Sequence, residues 1–184
     1  EQLFADVLGL DTNKFVADGE IKGTNAGEYK ATYYSNDQHG YDFIGNEGSL
    51  IIDKAQVTVK GSSETGKIYN GQTQSMDKPS YTVEGMVNSE NQSLLGKIEV
   101  SGVSAKDAGI YKNKVSGENT ETQNYDINYQ DGEFVIAKKK ITVTANDETR
   151  EYNGALQRIN SFTAEGLVAG ETEDTIRNSI NAVA

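Results

Sequence analysis

Short stretches in which apolar and polar residues alternate run through the whole chain. Gln56-Val57-Thr58-Val59-Lys60 and Lys140-Ile141-Thr142-Val143-Thr144 have the two-residue period of a half-buried strand. That period turns Val57 and Val59, and likewise Ile141 and Val143, to one face. Ser80-Tyr81-Thr82-Val83-Glu84 predicts another strand with Tyr81 and Val83 inward, and Phe162 and Ala164 repeat its pattern. Asp126-Ile127-Asn128-Tyr129 and Glu133-Phe134-Val135-Ile136 are β-prone runs on either side of Gln130-Asp131-Gly132. Asp-Gly in that setting predicts a closing hairpin with Gly132 at positive φ. Asn46-Glu47-Gly48 ahead of Ser49-Leu50-Ile51-Ile52 predicts the same turn with Gly48. Gly27 and Gly109, each two residues before a tyrosine, are expected to open the preceding strand. A helical period is rarer. Ile176, Ile180 and Val183 share one helical face, with Thr172 as the cap and Glu173 and Asp174 in the first turn. Gln2–Leu8 is a second candidate helix, with Leu3, Phe4, Val7 and Leu8 on one face. Ser89–Leu95 leaves room for one or two turns.

These elements recur. Asn25-Ala26-Gly27-Glu28-Tyr29-Lys30 returns as Asp107-Ala108-Gly109-Ile110-Tyr111-Lys112, and Tyr41-Asp42-Phe43-Ile44 as Tyr125-Asp126-Ile127-Asn128. Ile52–Val59 returns as Ile136–Val143, Tyr69-Asn70-Gly71 as Tyr152-Asn153-Gly154, and Val83-Glu84-Gly85 as Ala164-Glu165-Gly166. Five blocks in one order at nearly constant spacing make a tandem array. One complete unit spans 55–138. Residues 1–54 read as the C-terminal part of the preceding unit, and 139–184 as the N-terminal part of the next. A unit of this length is near the small end of independent domains, so beads with their own cores are expected. The two part-units are expected to complement each other in cis or, in trans, to dock between chains. A single irregular β domain with internal duplication is the alternative. The order strand, strand, short helix, then three strands predicts a mainly β (α+β) chain of tandem β-grasp-like units with a short helix each. Immunoglobulin-like β-sandwich repeats, which would lack the helices, are the other fold weighed.

Composition narrows the function. The formal net charge is −11, from 28 acidic and 17 basic side chains. A nucleic-acid surface needs a basic stripe, and Lys138-Lys139-Lys140 is the sole basic run, so neither nucleic acid nor an anionic membrane is an expected partner. No cysteine is present, which excludes disulfides and thiolate metal sites. No stretch is long and apolar enough to enter a membrane, and no signal peptide is expected within it. The profile predicts an excised piece of something larger. His39 is the single histidine. A histidine-based triad or an ordinary zinc centre cannot be built from it and no cysteine, so no enzyme is expected. A pair of carboxylates for glycoside hydrolysis is not singled out among the acids.

Residues 136–154, Ile-Ala-Lys-Lys-Lys-Ile-Thr-Val-Thr-Ala-Asn-Asp-Glu-Thr-Arg-Glu-Tyr-Asn-Gly, resemble the opening of the MBG/YDG-type repeats of bacterial surface proteins. Glu165-Gly166-Leu167-Val168, Asp107-Ala108-Gly109-Ile110-Tyr111 and the run from Asn124 to Lys138 continue the pattern in order. The resemblance covers nearly all of 55–184 and about 23–54. Ser62–Lys67 lacks the Ala-Asn-Asp stretch, and 1–22 has no counterpart in the middle unit. The resemblance implies a secreted or cell-wall-anchored adhesin, extracellular and Gram-positive-like, whose repeats contact neighbouring repeats and serve as a stalk. Mucin, or another host glycan, is the ligand it implies. A dedicated module for a protein ligand, such as a host matrix protein or an immunoglobulin, is the rival reading. A non-catalytic appendage of a secreted carbohydrate enzyme is a third.

Among the residues themselves, tyrosines are the candidate ligand-binding groups, because an aromatic face stacks on a sugar ring and the hydroxyl meets its polar edge. Tyr33, Tyr34 and Tyr41 cluster near His39 in the first unit. Cross-strand packing is the competing role for these tyrosines. Calcium is the one candidate ion, as a weak site rather than a cofactor. Asp126-x-Asn128-x-Gln130 spaces oxygen ligands suitably, but its glycine falls one residue late at Gly132 and Ala137 stands where a glutamate is needed. The acid-rich stretches Glu118–Glu121 and Glu171–Asp174 are weaker candidates for the same ion.

Overall fold

The computed structural model describes residues 15–20, 22–35, 44–159 and 161–180. The candidate helix Gln2–Leu8 lies outside them. The fold is mainly β. β1 (Phe15–Gly19), β2 (Gly27–Ser35) and β3 (Glu47–Ile52) form one antiparallel sheet in that order. β4 (Ala55–Gly61) lies between β7 (Tyr81–Glu84) and β12 (Tyr125–Gln130) in a second sheet. In a third, β13 (Gly132–Ala137) is flanked by β10 (Gly109–Asn113), antiparallel, and β5 (Glu64–Ile68), parallel. Three two-stranded ribbons complete the described set: β6 (Gln74–Ser75) with β9 (Ser104–Ala105), β8 (Ile98–Val100) with β11 (Val115–Gly117), and β14 (Thr142–Ala145) with β15 (Phe162–Glu165). The chain divides into two compact units that interleave along the sequence. One comprises 1–59, 83–98 and 117–128; the other comprises 60–82, 99–116 and 129–184.

The sequence repeat is a structural repeat. Gly27 opens β2 opposite Ile52, and Gly109 opens β10 opposite Ile136; Tyr29 faces Leu50 as Tyr111 faces Phe134; Ala31 faces Gly48 as Asn113 faces Gly132. The tyrosine hydroxyl makes the same local bond in both copies, donating to the carbonyl four residues upstream. Tyr29 reaches Asn25 O at 2.8 Å and Tyr111 reaches Asp107 O at 2.9 Å. One turn also recurs at the other end of the unit. Gly85 (φ +95°) and Gly166 (φ +91°) both occupy the left-handed region that glycine tolerates. A Cβ there would approach Gln56 O at 2.4 Å or Lys140 O at 3.2 Å, two residues that are themselves repeat counterparts.

The expected hairpin at Gln130-Asp131-Gly132 is not formed. β12 and β13 belong to different sheets, and Gly132 is not at positive φ. One residue, Asp131, separates the two strands, which is too short for a reversal, so the chain bends and changes sheet. Asp131 Oδ1 steadies the bend by accepting the Val115 N–H at 3.1 Å. β4 and β5 change sheet in the same way at Ser62-Ser63. The two bends touch backbone to backbone. A Cβ on Gly132 would lie 2.0 Å from Ser62 O and 2.6 Å from Gly61 O, and one on Gly61 would lie 2.8 Å from Gly132 N. Glycine stands at 132 for close approach, not for φ. Asn113, the buried polar side chain among the described residues, ties the place together. Its Nδ2 donates to Ser62 O at 3.0 Å and its Oδ1 accepts Gly102 N–H at 3.1 Å, so neither end is left unsatisfied.

Alternation places the cores. Val57 and Val59 on β4 are fully buried, as their period predicts, and so are Phe134 and Ile136 on β13. Phe134, Ile136 and Met76 form a cluster against which Tyr69, Val103, Ala105, Ala108 and Tyr111 pack. Each full burial of this kind contributes about 1.5–3 kcal/mol. Tyr81 departs from the expectation: it is exposed, and Val83 is half-buried. Short helices stand at the places that distinguish the β-grasp-like order from the sandwich. A 3-10 turn covers Gln92–Leu95, and its repeat counterpart Glu173–Ile176 is an α-helix continued by a 3-10 turn over Arg177–Ser179. Thr172 starts it, its N–H donating to Thr175 Oγ1 at 3.2 Å. Ile176 and Ile180 are half-buried; Val183 lies outside the described residues.

The repeated segments at the two ends differ in burial from their counterparts in 55–138. Ile141 and Val143, expected inward, are each 39% exposed. β14 has β15 as its described partner, whereas β4 is flanked on both sides. Gly48 is not a turn residue: Glu47 and Gly48 are inside β3, opposite Thr32 and Ala31, and Gly48 is not at positive φ. Strand partners of β3 and β14 among the described residues come from their own segments, β2 and β15.

Candidate functional site

β2 carries the candidate site. Alternation sets Tyr29, Ala31 and Tyr33 along one face of this strand. Together with Glu20, Asn46, Gly48, Ser49 and Leu50 they line an open groove. The cross-strand pair Ala31 and Gly48 is small and leaves the space between the larger side chains open. The hydroxyl of Tyr29 is tied to Asn25 O, which holds the ring; Tyr33 is 45% exposed. Glu20 and Asn46 add oxygen and amide groups beside the aromatic pair. A ring face beside short polar side chains suits a sugar or a flat polar group. Ser49 Oγ donates to Glu28 Oε1 at 2.7 Å, and Lys30 pairs with Glu47 at 3.1 Å, so the strand's other polar groups are engaged with each other. The hydrogen bond from Lys30 to Glu47, with the Glu28 and Glu47 charges, raises the lysine pKa.

Of the four residues singled out from sequence, Tyr33 is in this groove. Tyr34 follows it on β2, opposite Val16 of β1. His39 and Tyr41 lie outside the described residues. Sequence reasoning missed Tyr29 as a groove residue, although the spacing Tyr29-x-Ala31-x-Tyr33 already places both rings on one strand face.

The acidic candidates for calcium are used otherwise. Asp126 Oδ2 accepts Gln56 Nε2 at 2.9 Å, Glu121 pairs with Lys54 at 2.6 Å, and Asp174 pairs with Arg177 at 3.0 Å. Among the described residues no three His, Asp or Glu side chains converge as a metal site. No helix among them is long and apolar enough to cross a membrane.

A second cleft is lined by Thr24, Ala26, Ile52, Asp53, Ala55, Val87, Glu90, Asn124 and Tyr125. Tyr125, 2% exposed, donates its hydroxyl proton to Glu90 and accepts the Val87 N–H at 3.1 Å. The bond to the Glu90 carboxylate raises the phenol pKa above its ordinary value of 10.0; loss of solvent adds to this and the Val87 N–H opposes it. Ionised tyrosine would lose the donated proton and face a carboxylate. With the folded pKa above the unfolded one, the stabilisation is complete below pH 10 and is lost as pH rises through the folded value. Tyr69, through Glu171, and Tyr129, through burial, act in the same direction. Thermal unfolding followed across pH 9–12 should therefore show a falling melting temperature above pH 10, with a shallower fall in Tyr125→Phe. Identical slopes would show that Tyr125 does not carry the effect.

No curated protein and no solved structure matches the chain. The family model that matches is the MBG domain of the YGX type, over residues 57–135. That span begins at the first buried valine of β4 and ends within β13, inside the unit expected at 55–138. The register of β2 with β3 repeats that of β10 with β13, and the turn at Gly166 repeats that at Gly85. Residues 57–135 thus match the MBG domain of the YGX type, and stretches on either side repeat parts of its strand register and its glycine turn.

Proposed function

We propose that the chain is a stretch of tandem MBG repeats from an extracellular bacterial surface adhesin, serving as a stalk and touching host glycan, such as mucin, through the β2 groove. The observation that carries the stalk reading is the recurrence, in two copies, of one strand register and one tyrosine-to-carbonyl bond. Identical modules in series give reach without new chemistry. What supports glycan contact is the exposed ring of Tyr33 beside Tyr29, Glu20 and Asn46. The acidity, −11 overall, keeps such an array soluble and turns away anionic surfaces. No catalytic role is proposed for any residue.

Titration of the chain with mucin glycans tests the contact. Tyr33→Ala is expected to weaken binding about five- to tenfold, by the loss of one stacking platform of about 1–1.5 kcal/mol. Tyr81→Ala, an exposed tyrosine outside the groove, should leave it unchanged. Equal binding by wild type and Tyr33→Ala removes the groove from the proposal. A protein ligand is the second reading, favoured by Ile51, an apolar residue of β3 that is 65% exposed. Binding lost in Ile51→Lys but kept in Tyr33→Ala would select it.

A further inference from the structure

The second cleft has a counterpart one repeat later. It is lined by Tyr69, Lys139, Ile141, Gly166, Leu167, Val168, Glu171 and Ile176. Three of its positions are repeat counterparts of residues lining the earlier cleft: Lys139 of Ala55, Val168 of Val87, and Glu171 of Glu90. Each cleft lies where one repeat hands over to the next. In the earlier one, Val87 and Glu90 of the middle repeat meet Ala26, Ile52 and Asp53 of the repeat before. In the later one, Val168 and Glu171 of the last repeat meet Tyr69 of the middle repeat, and Val168 Cγ2 would lie 2.8 Å from a Cβ on Gly71.

The glutamate has a tyrosine in both places, but not the same tyrosine. Glu90 accepts from Tyr125, a residue of its own repeat. Glu171 accepts from Tyr69, a residue of the preceding repeat. The counterpart of Tyr125 for the last repeat falls beyond Ala184, and the counterpart of Tyr69 for the first falls before Glu1. Tyr69 N–H is bonded to Ala137 O at 2.9 Å. Ala137 is the counterpart of Asp53, which lines the earlier cleft, so a tyrosine from the preceding repeat would enter at that place. A carboxylate has two oxygens and accepts two such bonds. At the earlier junction further bonds cross between repeats. Asn124 Oδ1 accepts Ala26 N–H at 2.8 Å, Asn124 Nδ2 donates to Asn25 Oδ1 at 3.1 Å, and Lys54 pairs with Glu121 at 2.6 Å.

We propose that the Val-x-x-Glu segment, Val87 to Glu90 and Val168 to Glu171, is the joint by which each repeat holds to the one before. Within an array its glutamate takes two tyrosine hydroxyls, one from each repeat. This rests on the tandem-array reading above and gives the array a mechanism of stiffness: neighbours are bonded rather than merely strung. It does not depend on what the β2 groove binds.

Amide hydrogen exchange on the full chain tests the joint. Tyr69→Phe and Glu171→Gln should each speed exchange over Gly166–Glu171 roughly tenfold, as loss of one charge-assisted hydrogen bond does. The double variant should add little to either. Exchange at Val59 and Leu95 should stay as in wild type, which separates a loosened joint from a failed fold. Unchanged exchange over Gly166–Glu171 in both single variants overturns the joint. The two-tyrosine claim is read in the chain extended after Ala184 by a second copy of Ser104–Lys138, which supplies a counterpart of Tyr125 to Glu171. The carboxyl carbon resonance of Glu171 should shift on extension, and shift back when the added tyrosine is replaced by phenylalanine. No shift overturns that claim. Loss of glycan binding in these variants is not expected, so failure of the joint and failure of the adhesin reading are distinguishable.

Discussion

Gly132→Ala is expected to destabilise the protein by about 3 kcal/mol, at the upper end of the cost of overpacking, or to prevent folding. The added methyl would sit 2.0 Å from Ser62 O and 2.6 Å from Gly61 O. Both obstacles are backbone atoms at a bend, and the Ser62 carbonyl is already held by Asn113. No side chain can rotate away, so two strands must separate. The control is Gly48→Ala at the same repeat position. Its new methyl would have Ala31 O as nearest neighbour, at 3.9 Å, an ordinary contact. A change within about 0.5 kcal/mol is expected there. The difference is measured as the shift of the urea midpoint at constant slope. Equal costs at the two glycines would show that a shared turn conformation, rather than the crossing of β5 and β13 bends, fixes the residue. The variant Gly61→Ala, blocked by Gly132 N at 2.8 Å, should behave like Gly132→Ala.

Phe134→Ala is expected to cost about 3–5 kcal/mol, the range for truncating a buried aromatic. Phe134 is fully buried and stands at the centre of the cluster with Met76 and Ile136. Leu50 occupies the same repeat position on β3, opposite Tyr29 as Phe134 is opposite Tyr111, yet it is 43% exposed. Leu50→Ala should cost about 1 kcal/mol or less, since much of its side chain has no contacts to lose. Thermal or denaturant unfolding of the two variants gives the comparison. Comparable losses would mean that the first copy's sheet is as well covered as the middle one, against the 43% exposure of Leu50.

Much of this was readable from local pattern. The alternation around Val57 and Val59 located a strand and its buried face, because a two-residue period has one consistent solution on a sheet. The recurrence of Asn25–Lys30 as Asp107–Lys112 predicted matching structure, and strand register and tyrosine bonds agree to the residue. Thr172 and the acids after it marked the start of a helix, since a helix end announces itself by its own capping residues. The glycines before Tyr29 and Tyr111 marked where β2 and β10 begin.

Other features depend on what each segment meets. Asp131-Gly132 has the composition of a hairpin turn, but its strands find separate partners, and the glycine answers to Ser62, seventy residues earlier in the chain. Identical patterns gave unlike burial: Val57 and Val59 are covered, while Ile141 and Val143 are half out, because burial is a property of the partner strands and not of the strand itself. Tyr33 was named from its type; its neighbours Glu20 and Asn46 in the groove come from two other stretches of chain. The sequence by itself determined the repeat, its period and the faces of its strands, since these follow from residues near one another. The tertiary structure decided which strands pair, which glycine is indispensable and which tyrosines reach a carboxylate, since these follow from distances between residues that the chain order does not contain.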